Sequence, residues 1–341
     1  MTLRTRPPTG QVAFPLLLVE GAEKSGKTYT ALSLSASEHV GRTFVFELGE
    51  RAADEYAPLG DYEIVEHNGT YADLLDQLRA ACAEPADERP NVIVLDSASM
   101  LWALLKDQAS AAARRSKRAQ KILSEDPDAD IETTMTYWNT AKERWWAVVN
   151  LLRGWPGIAL LTCRAGEVTK VVNGQPVAGQ TEWSRDLEKG TAFAMTGIVR
   201  AQYPNPPVLV SVQSLSLQIP AKGLVLPSEG ALEALIFDTL GAGGGFASSP
   251  VVNPVAGIPV AEAKNVLWAD ACDVLDREAA KEFAAKVWAS TGLTGAEVTE
   301  EELAAAKALL KKELDERDPF DGLPHALPAD EPADSPEEVT A

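Results

Sequence analysis

The chain of 341 residues has few cysteines and no long apolar run, and each absence excludes a class of protein. Its three cysteines, Cys82, Cys163 and Cys272, are widely spaced and odd in number, which favours neither a disulfide framework nor a zinc site. A reducing compartment, the cytoplasm, is therefore expected. No segment approaches the roughly 18 consecutive apolar residues of a membrane span, so no membrane association is expected. The N-terminal residues 1–14 contain two prolines and no apolar core, so we expect no signal peptide.

Positive charge is also scarce, because 31 Lys and Arg residues stand against 50 Asp and Glu residues and give a net charge of −19. The excess is uneven, since residues 313–341 contain ten acidic residues and one arginine. Roughly half of the negative charge is therefore a property of the C-terminal tail and says little about what the rest of the chain binds. The overall charge argues against strong non-specific binding of nucleic acid by a single copy.

The sequence does contain a phosphate-binding motif directly after a short apolar run. Residues 14–28, FPLLLVEGAEKSGKT, fit the template G-x-x-x-x-G-K-[ST], with Gly21 and Gly26 as the fixed glycines. Glycines let a turn wrap closely enough for several backbone N–H groups to converge on a triphosphate. Lys27 is then expected at the β- and γ-phosphates of ATP, and Thr28 at a magnesium ion. The predicted nucleotide-binding residues are Gly21, Ala22, Glu23, Lys24, Ser25, Gly26, Lys27, Thr28 and Tyr29.

Strands and helices alternate after this motif, which predicts an α/β fold with a mainly parallel central sheet flanked by helices. Ligands bind at the carboxyl ends of such strands, where Lys27 and Asp96 both lie, so these residues can meet over one phosphate group. Asp96 is the second predicted magnesium ligand. Strands are predicted at 43–48, 62–66, 91–96, 157–163, 196–203, 208–215 and 217–227, and helices at 28–38, 71–83, from 100 onward, 133–153 and 228–240.

The helix predicted at 133–153 has an apolar stripe typical of a core-facing surface. Trp146 lies off that stripe and is the better candidate for exposure. The stripe consists of Trp138, Ala141, Trp145, Val148 and Leu152.

Two further segments are candidates for contact with a partner. An Asn173 and Gly174 pair between alternating residues predicts a projecting β-hairpin at 167–184. The other segment is a basic run, which either contacts the phosphates of single-stranded DNA or forms a solvated helix face neutralised by five acids at 124–132. The basic run consists of Arg114, Arg115, Lys117, Arg118 and Lys121.

Composition divides the chain into five parts. A linker rich in glycine and proline is predicted at 241–257. Three amphipathic helices are predicted beyond it, the third opening with a capping box of Thr299 and Glu302. The predicted parts are a flexible N-terminus at 1–13, an ATPase domain at 14–240, the linker at 241–257, a small helical domain at 258–317 and an acidic disordered tail at 318–341.

The phosphate loop is followed by two segments in an order that resembles bacterial RecA. The three strings are GAEKSGKT, TFVFELGERAADEYAPLG and NVIVLDSAS. Read without gaps, the resemblance implies a RecA-like core, with the catalytic glutamate at Glu50, a nearby aspartate at Asp54 and the Walker B aspartate at Asp96. Glu47 is the alternative for the residue that activates water, because it also lies near the end of the second strand.

Residues 14–240 more closely resemble the phage-encoded RecA-like ATPases that assist single-strand annealing and recombination. The stretches IVEHNGTYADLLDQLR and W-x-x-AKERWWAVV add to this resemblance. It implies a magnesium- and ATP-dependent protein that binds single-stranded DNA and promotes annealing or strand pairing in the host cytoplasm. RecA-like domains assemble head to tail, so the resemblance also implies a homo-oligomer, either a ring or a filament.

The same resemblance assigns roles to the residues beyond the third core strand. Arg164 takes the position of a polar switch residue, where an arginine either reads the γ-phosphate or forms an interface ion pair. The hairpin at 167–184, which carries Lys170 and Trp183, becomes the DNA-facing loop. Arg185 and Lys189 are candidates for fingers that reach the nucleotide of a neighbouring subunit.

A second hypothesis is a nucleotide-gated scaffold that loads a partner, such as a single-strand-binding protein, through its C-terminal helices. A small-molecule kinase is disfavoured, because such enzymes usually close an acceptor pocket with a basic lid, whereas this chain has a projecting hairpin.

Overall fold

The computed structural model forms two compact units, Met1–Asn253 and Pro254–Ala341. The predicted division at 14–240, 241–257 and 258–317 remains a prediction. The structure describes residues 5, 7–49, 51–172, 175–215, 217–241, 245–247, 258–259, 267–268, 271–272, 280–286, 297–298 and 307–309.

The first unit is built on a mixed, mostly parallel sheet, so the predicted α/β class is confirmed. Among the described residues its strand order is β10-β9-β8-β2-β6-β5-β3-β4, with β7 paired to β6. The strands from β8 to β4 are parallel, whereas β9, β10 and β7 run antiparallel to their neighbours. The strands of this unit are β1 Val12–Ala13, β2 Leu16–Gly21, β3 Thr43–Glu47, β4 Glu63–Ile64, β5 Val92–Asp96, β6 Ile158–Val172, β7 Gln175–Arg185, β8 Gly197–Gln202, β9 Asn205–Val212, β10 Leu224–Val225 and β11 Phe246–Ala247.

Helices cover both faces of this sheet, as a parallel sheet with apolar strands requires. One core lies between the sheet and α2, α3 and α5, and the other lies beneath α1 and the last helix. The helices are α1 Lys27–Leu32, α2 Tyr71–Ala83, α3 Ala98–Arg114, α4 Lys117–Glu125, α5 Met135–Gly154, α6 Thr191–Ala194 and α7 Ala231–Glu233, which continues as a π-helix over Ala234–Leu240.

The predicted apolar stripe of α5 is confirmed at four of its five positions. Ala141, Trp145, Val148 and Leu152 are buried, and the indole N–H of Trp145 donates to Thr191 Oγ1 at 2.9 Å. Trp138 is half-buried. Trp146, predicted to be exposed, is half-buried against the same core.

Several predicted boundaries differ from the structure. The strand predicted to end at residue 163 continues through Val172, because its outer half pairs with β7 and so satisfies its backbone groups beyond the sheet. The predicted tight turn at Asn173 and Gly174 lies outside the described residues, although Val172 pairs directly with Gln175. The helix predicted over 28–38 ends as α-helix at Leu32 and continues as a 3₁₀ turn, Ser33–Ala36.

The second unit is described only in short pieces. A strand pair that the sequence did not predict joins β12, Ile258–Pro259, to β13, Glu297–Val298, in antiparallel register. Helical residues occur at 267–268, 271–272, 280–286 and 307–309. The capping box of Thr299 and Glu302 and the acidic tail lie outside the described residues. In the described parts of the chain, no helix is both long and apolar enough to cross a membrane.

Candidate functional site

The phosphate-binding motif forms a tight loop between β2 and α1. Gly26 has φ of +89°, a left-handed conformation that strongly favours glycine, and it caps α1. A Cβ on Gly21 would lie 2.3 Å from Ser25 Oγ and 2.7 Å from the carbonyl oxygen of Ala201. Glycine is therefore required at both fixed positions of the motif, at Gly26 by the backbone conformation and at Gly21 by close packing.

Several polar groups of the loop either bond to the loop itself or have no partner among the described protein residues. Lys27 Nζ donates to the carbonyl of Ala22 at 2.7 Å and so folds back over the loop. Within the described residues, the backbone amides of Glu23, Lys24 and Gly26 donate no hydrogen bond to the protein. Buried polar groups are usually paired, yet the hydroxyl of Ser25 has no partner in the described structure. The loop thus offers donors without protein acceptors.

Asp96 lies at the end of β5 and joins the loop to the sheet. Its carboxylate is buried, and Thr28 Oγ1 donates to Oδ2 at 2.7 Å. Thr162 Oγ1, from the intervening strand β6, donates to the other carboxylate oxygen. The predicted residues Thr28 and Asp96 are therefore in direct contact. Thr162 was missed by the sequence analysis, because a threonine in an apolar strand has no distinctive pattern.

Tyr203 is a second residue that the sequence analysis missed. It follows β8, and its backbone N–H donates to the carbonyl of Ser25 at 2.9 Å. A Cβ added to Gly26 would lie 3.5 Å from the Cβ of Tyr203, so this residue is close to the loop. Tyr203 is nevertheless 76% exposed. The backbone of Tyr203 is therefore anchored beside the loop, and its ring is open to solvent.

The proposed catalytic glutamate, Glu50, lies outside the described residues, and its role remains a prediction. The rival, Glu47, is described and accepts a hydrogen bond from the amide of Ala53 at 2.9 Å. Tyr62 donates to the carbonyl of Ala53 at 2.6 Å. Burial, with smaller contributions from the carboxylates of Asp54 and Glu47, raises the pKa of Tyr62. The carboxylate of Glu47 is thus engaged with the backbone of Ala53, six residues further along the chain.

Arg164 lies in β6 directly opposite Gly21 in the pairing of β2 with β6. Its backbone N–H donates to Ser99 Oγ at 2.9 Å, which ties this point of β6 to the start of α3. The side chain is exposed. The predicted choice between a γ-phosphate contact and an interface ion pair stays open.

The hairpin of β6 and β7 projects beyond the sheet. Lys170 is half-buried on it, and three valines are exposed: Val168, Val171 and Val172. Arg185, a predicted finger, pairs with the buried carboxylate of Glu20 in its own chain, whereas Lys189 is exposed. The trans-finger role of both residues remains a prediction.

The basic run lies at the end of α3 and along α4. All five side chains are exposed, namely Arg114, Arg115, Lys117, Arg118 and Lys121. Ser116 separates the two helices and accepts a hydrogen bond from the amide of Ala119 at 3.2 Å. Exposure is compatible with both predicted roles, a DNA contact and a solvated face.

The donor set of the loop fits a magnesium–nucleotide complex. Mg²⁺ is usually held by one or two protein side chains together with phosphate oxygens, and Thr28 and Asp96 supply such a pair. The unpaired amides and Lys27 are suited to phosphate oxygens. Comparison with models of known protein families found no match, and comparison with curated proteins found none either.

Proposed function

We propose that the chain is a magnesium-dependent, RecA-like ATPase of the phage recombination type. The observation that carries the proposal is the contact of Thr28 with Asp96 beneath a loop whose amides lack protein acceptors. A phosphate loop of this kind at the end of one strand, with a carboxylate at the end of a nearby strand, is the arrangement used for nucleoside triphosphates. Bound Mg²⁺ would neutralise charge on the β- and γ-phosphates.

The residues around the loop have separate tasks in this proposal. Lys27 leaves the carbonyl of Ala22 and pairs with phosphate oxygens. Thr162 orients the Asp96 carboxylate, so that Thr28 and Asp96 face the metal side together. Glu50 orients and deprotonates the attacking water, while Glu47 accepts a hydrogen bond from the amide of Ala53. Tyr203 stacks its exposed ring on the base.

Single-stranded DNA is the proposed macromolecular ligand. The exposed cations of the basic run are suited to its phosphates, and the hairpin lies on β6, whose inner half flanks the phosphate loop. Because the chain carries a net charge of −19, one copy binds weakly, and a ring or filament that aligns many copies strengthens the contact.

The test is ATP hydrolysis with and without single-stranded DNA, in native protein and in Lys27→Ala. DNA is expected to stimulate hydrolysis, and Lys27→Ala is expected to abolish it, whereas Lys222→Ala, which removes an exposed lysine remote in sequence from the loop, leaves it unchanged. Hydrolysis at one rate with and without DNA, together with no salt-dependent DNA binding, contradicts the DNA part of the proposal.

One observation favours the scaffold as a second candidate. The described part of the hairpin carries Glu167, Glu182 and Lys170, since Arg185 is paired with Glu20, and it exposes Val168, Val171 and Val172. A partly apolar surface without excess positive charge suits a protein partner better than a phosphate backbone. Replacement of the three valines by serine tests this surface, because the scaffold loses partner binding and keeps nucleotide binding and DNA binding. Deletion of residues 241–341 tests in the same way whether the C-terminal helices load the partner.

A further inference from the structure

Glu20, the residue directly before the phosphate loop, carries a fully buried carboxylate. Arg200 donates to Oε1 through Nε at 2.9 Å and through a second nitrogen at 2.7 Å, and Arg185 Nε donates to Oε2. Their side chains are only 28% and 27% exposed. A buried carboxylate that lost these partners would be strongly destabilising, so both guanidinium groups must follow any movement of Glu20.

The two arginines belong to different elements, Arg200 to β8 and Arg185 to β7. Arg200 lies in β8, whose next residue, Ala201, packs against Gly21, and Tyr203 just beyond the strand donates to the carbonyl of Ser25. The phosphate loop is therefore tied to β8 at two points within three residues of Arg200.

Arg185 is the last residue of β7 and pairs with Ala165 at the base of the hairpin. Trp183, two residues earlier, lies beneath Arg200, whose Cζ is 3.8 Å from the centre of the indole ring. The indole nitrogen is buried and has no hydrogen-bond partner among the described residues. The base of the hairpin is thus held by the same two arginines that hold Glu20.

We propose that Glu20, Arg185 and Arg200 form a positioning triad that couples occupancy of the phosphate loop to the conformation of the β6–β7 hairpin. This inference rests on the proposed nucleotide site and adds a route by which that site acts on the hairpin. Nucleotide binding shifts the backbone of the phosphate loop, including Gly21. Glu20 shifts with Gly21, because the two residues are adjacent in the chain. Arg185 and Arg200 shift with the buried carboxylate of Glu20, because they are its partners. The hairpin base follows in turn, because Arg185 belongs to it.

The test is hydrogen exchange of the full chain in Mg²⁺, with and without a non-hydrolysable ATP analogue, read over peptides from 165–172 and 175–185. In the native protein the analogue is expected to slow exchange of the hairpin by about threefold or more. Arg185→Gln is expected to lose this response and to bind the analogue as tightly as the native protein within about threefold. Arg185→Lys, which keeps a cation, is expected to restore part of the response.

Arg185→Gln is expected to fold, because Arg200 still pairs with Glu20 through two hydrogen bonds. Arg200→Gln is the second variant, and it is also expected to lose the response of the hairpin to the analogue, because it too removes an arginine that pairs with Glu20. Arg89→Gln is the matched control, since Arg89 is exposed and pairs with Asp87 outside the triad.

The outcomes separate this inference from the function on which it rests. If the native chain binds the analogue and the hairpin does not respond, or if Arg185→Gln responds like the native chain, the triad is only a structural anchor and the inference is overturned while the nucleotide site stands. If the native chain does not bind the analogue, both proposals are overturned.

Discussion

At the scale of single residues, Gly21 has too little space for a side chain. Substitution Gly21→Ala places a Cβ against Ser25 Oγ and the carbonyl oxygen of Ala201 and is expected to lower the free energy of unfolding by about 1–3 kcal/mol. The measurement is chemical denaturation. Gly166→Ala is the control, because nothing lies within 4 Å of the added carbon, and its expected change is under about 0.5 kcal/mol. Equal stability of the two variants contradicts the close packing of the loop.

Tyr203 gives a prediction that concerns binding rather than stability. Because its backbone is anchored beside the loop and its ring is exposed, Tyr203→Ala is expected to weaken binding of an ATP analogue roughly tenfold, the amount that loss of one stacked base typically costs. Inorganic triphosphate, which has no base, is expected to bind both proteins equally. Phe193→Ala is the control, since Phe193 is 92% exposed and lies in α6. Equal loss for ATP analogue and triphosphate argues against stacking.

The reactivity of the Cys163 thiol is expected to depend on pH. Its thiol is buried beside Glu20 on the neighbouring strand, and burial, helped by that carboxylate, raises its pKa to about 12. The reactive thiolate forms only as the pH approaches this value, so at about pH 8 only about one thiol in ten thousand is ionised. Iodoacetamide is therefore expected to leave Cys163 unlabelled at this pH in the folded protein and to label it after unfolding in urea. Rapid labelling of the folded protein, read by mass spectrometry, contradicts the burial.

The sequence could predict single residues only where a motif defines them. Lys27, Thr28 and Asp96 were predicted from a spaced motif and a strand end, and the structure places Thr28 in contact with Asp96. Glu20 was missed, since one acid at the end of an apolar run resembles the start of a loop. Its partners, Arg185 and Arg200, lie 165 and 180 residues further along the chain, and only the strand order brings them together.

At the scale of secondary-structure elements, Trp145 is the largest fully buried side chain of α5. This side chain is fully buried against Trp102 and donates to Thr191, so Trp145→Ala is expected to cost about 3–5 kcal/mol of folding free energy. Lys142→Ala on the exposed face of the same helix is the control, with a change below about 0.5 kcal/mol. Thermal and chemical unfolding measure both, and a small loss in Trp145→Ala contradicts the packing described for α5.

Elements with a strong hydrophobic period were predicted well, and their ends less well. α2 was predicted at 71–83 and occupies Tyr71–Ala83. β6 was predicted to end at residue 163, where its buried apolar run ends. The hydrophobic pattern identifies buried strand residues, whereas the outer half of β6 is mostly exposed on the hairpin. The basic run was not predicted to be divided between α3 and α4, where Ser116 stops one helix and caps the next.

At the scale of the whole molecule, the first unit places the carboxyl ends of β2 and β5 at one edge of the sheet, beside the middle of β6. The outer half of β6 continues beyond this edge as the first strand of the hairpin. This geometry follows from parallel strands and was predictable from the alternation of strands and helices. The strand order was not predictable, because it depends on pairings between distant segments.

Calorimetric titration with a non-hydrolysable ATP analogue measures whether the loop at Gly21–Thr28 binds a magnesium–nucleotide complex. We expect saturable, magnesium-dependent binding by the native chain. We expect a loss of affinity of about tenfold or more in both Lys27→Ala and Asp96→Asn, because one removes the phosphate cation and the other the carboxylate that pairs with Thr28. Absence of binding by the folded native chain, or unchanged affinity in both variants, contradicts a nucleotide site at this loop.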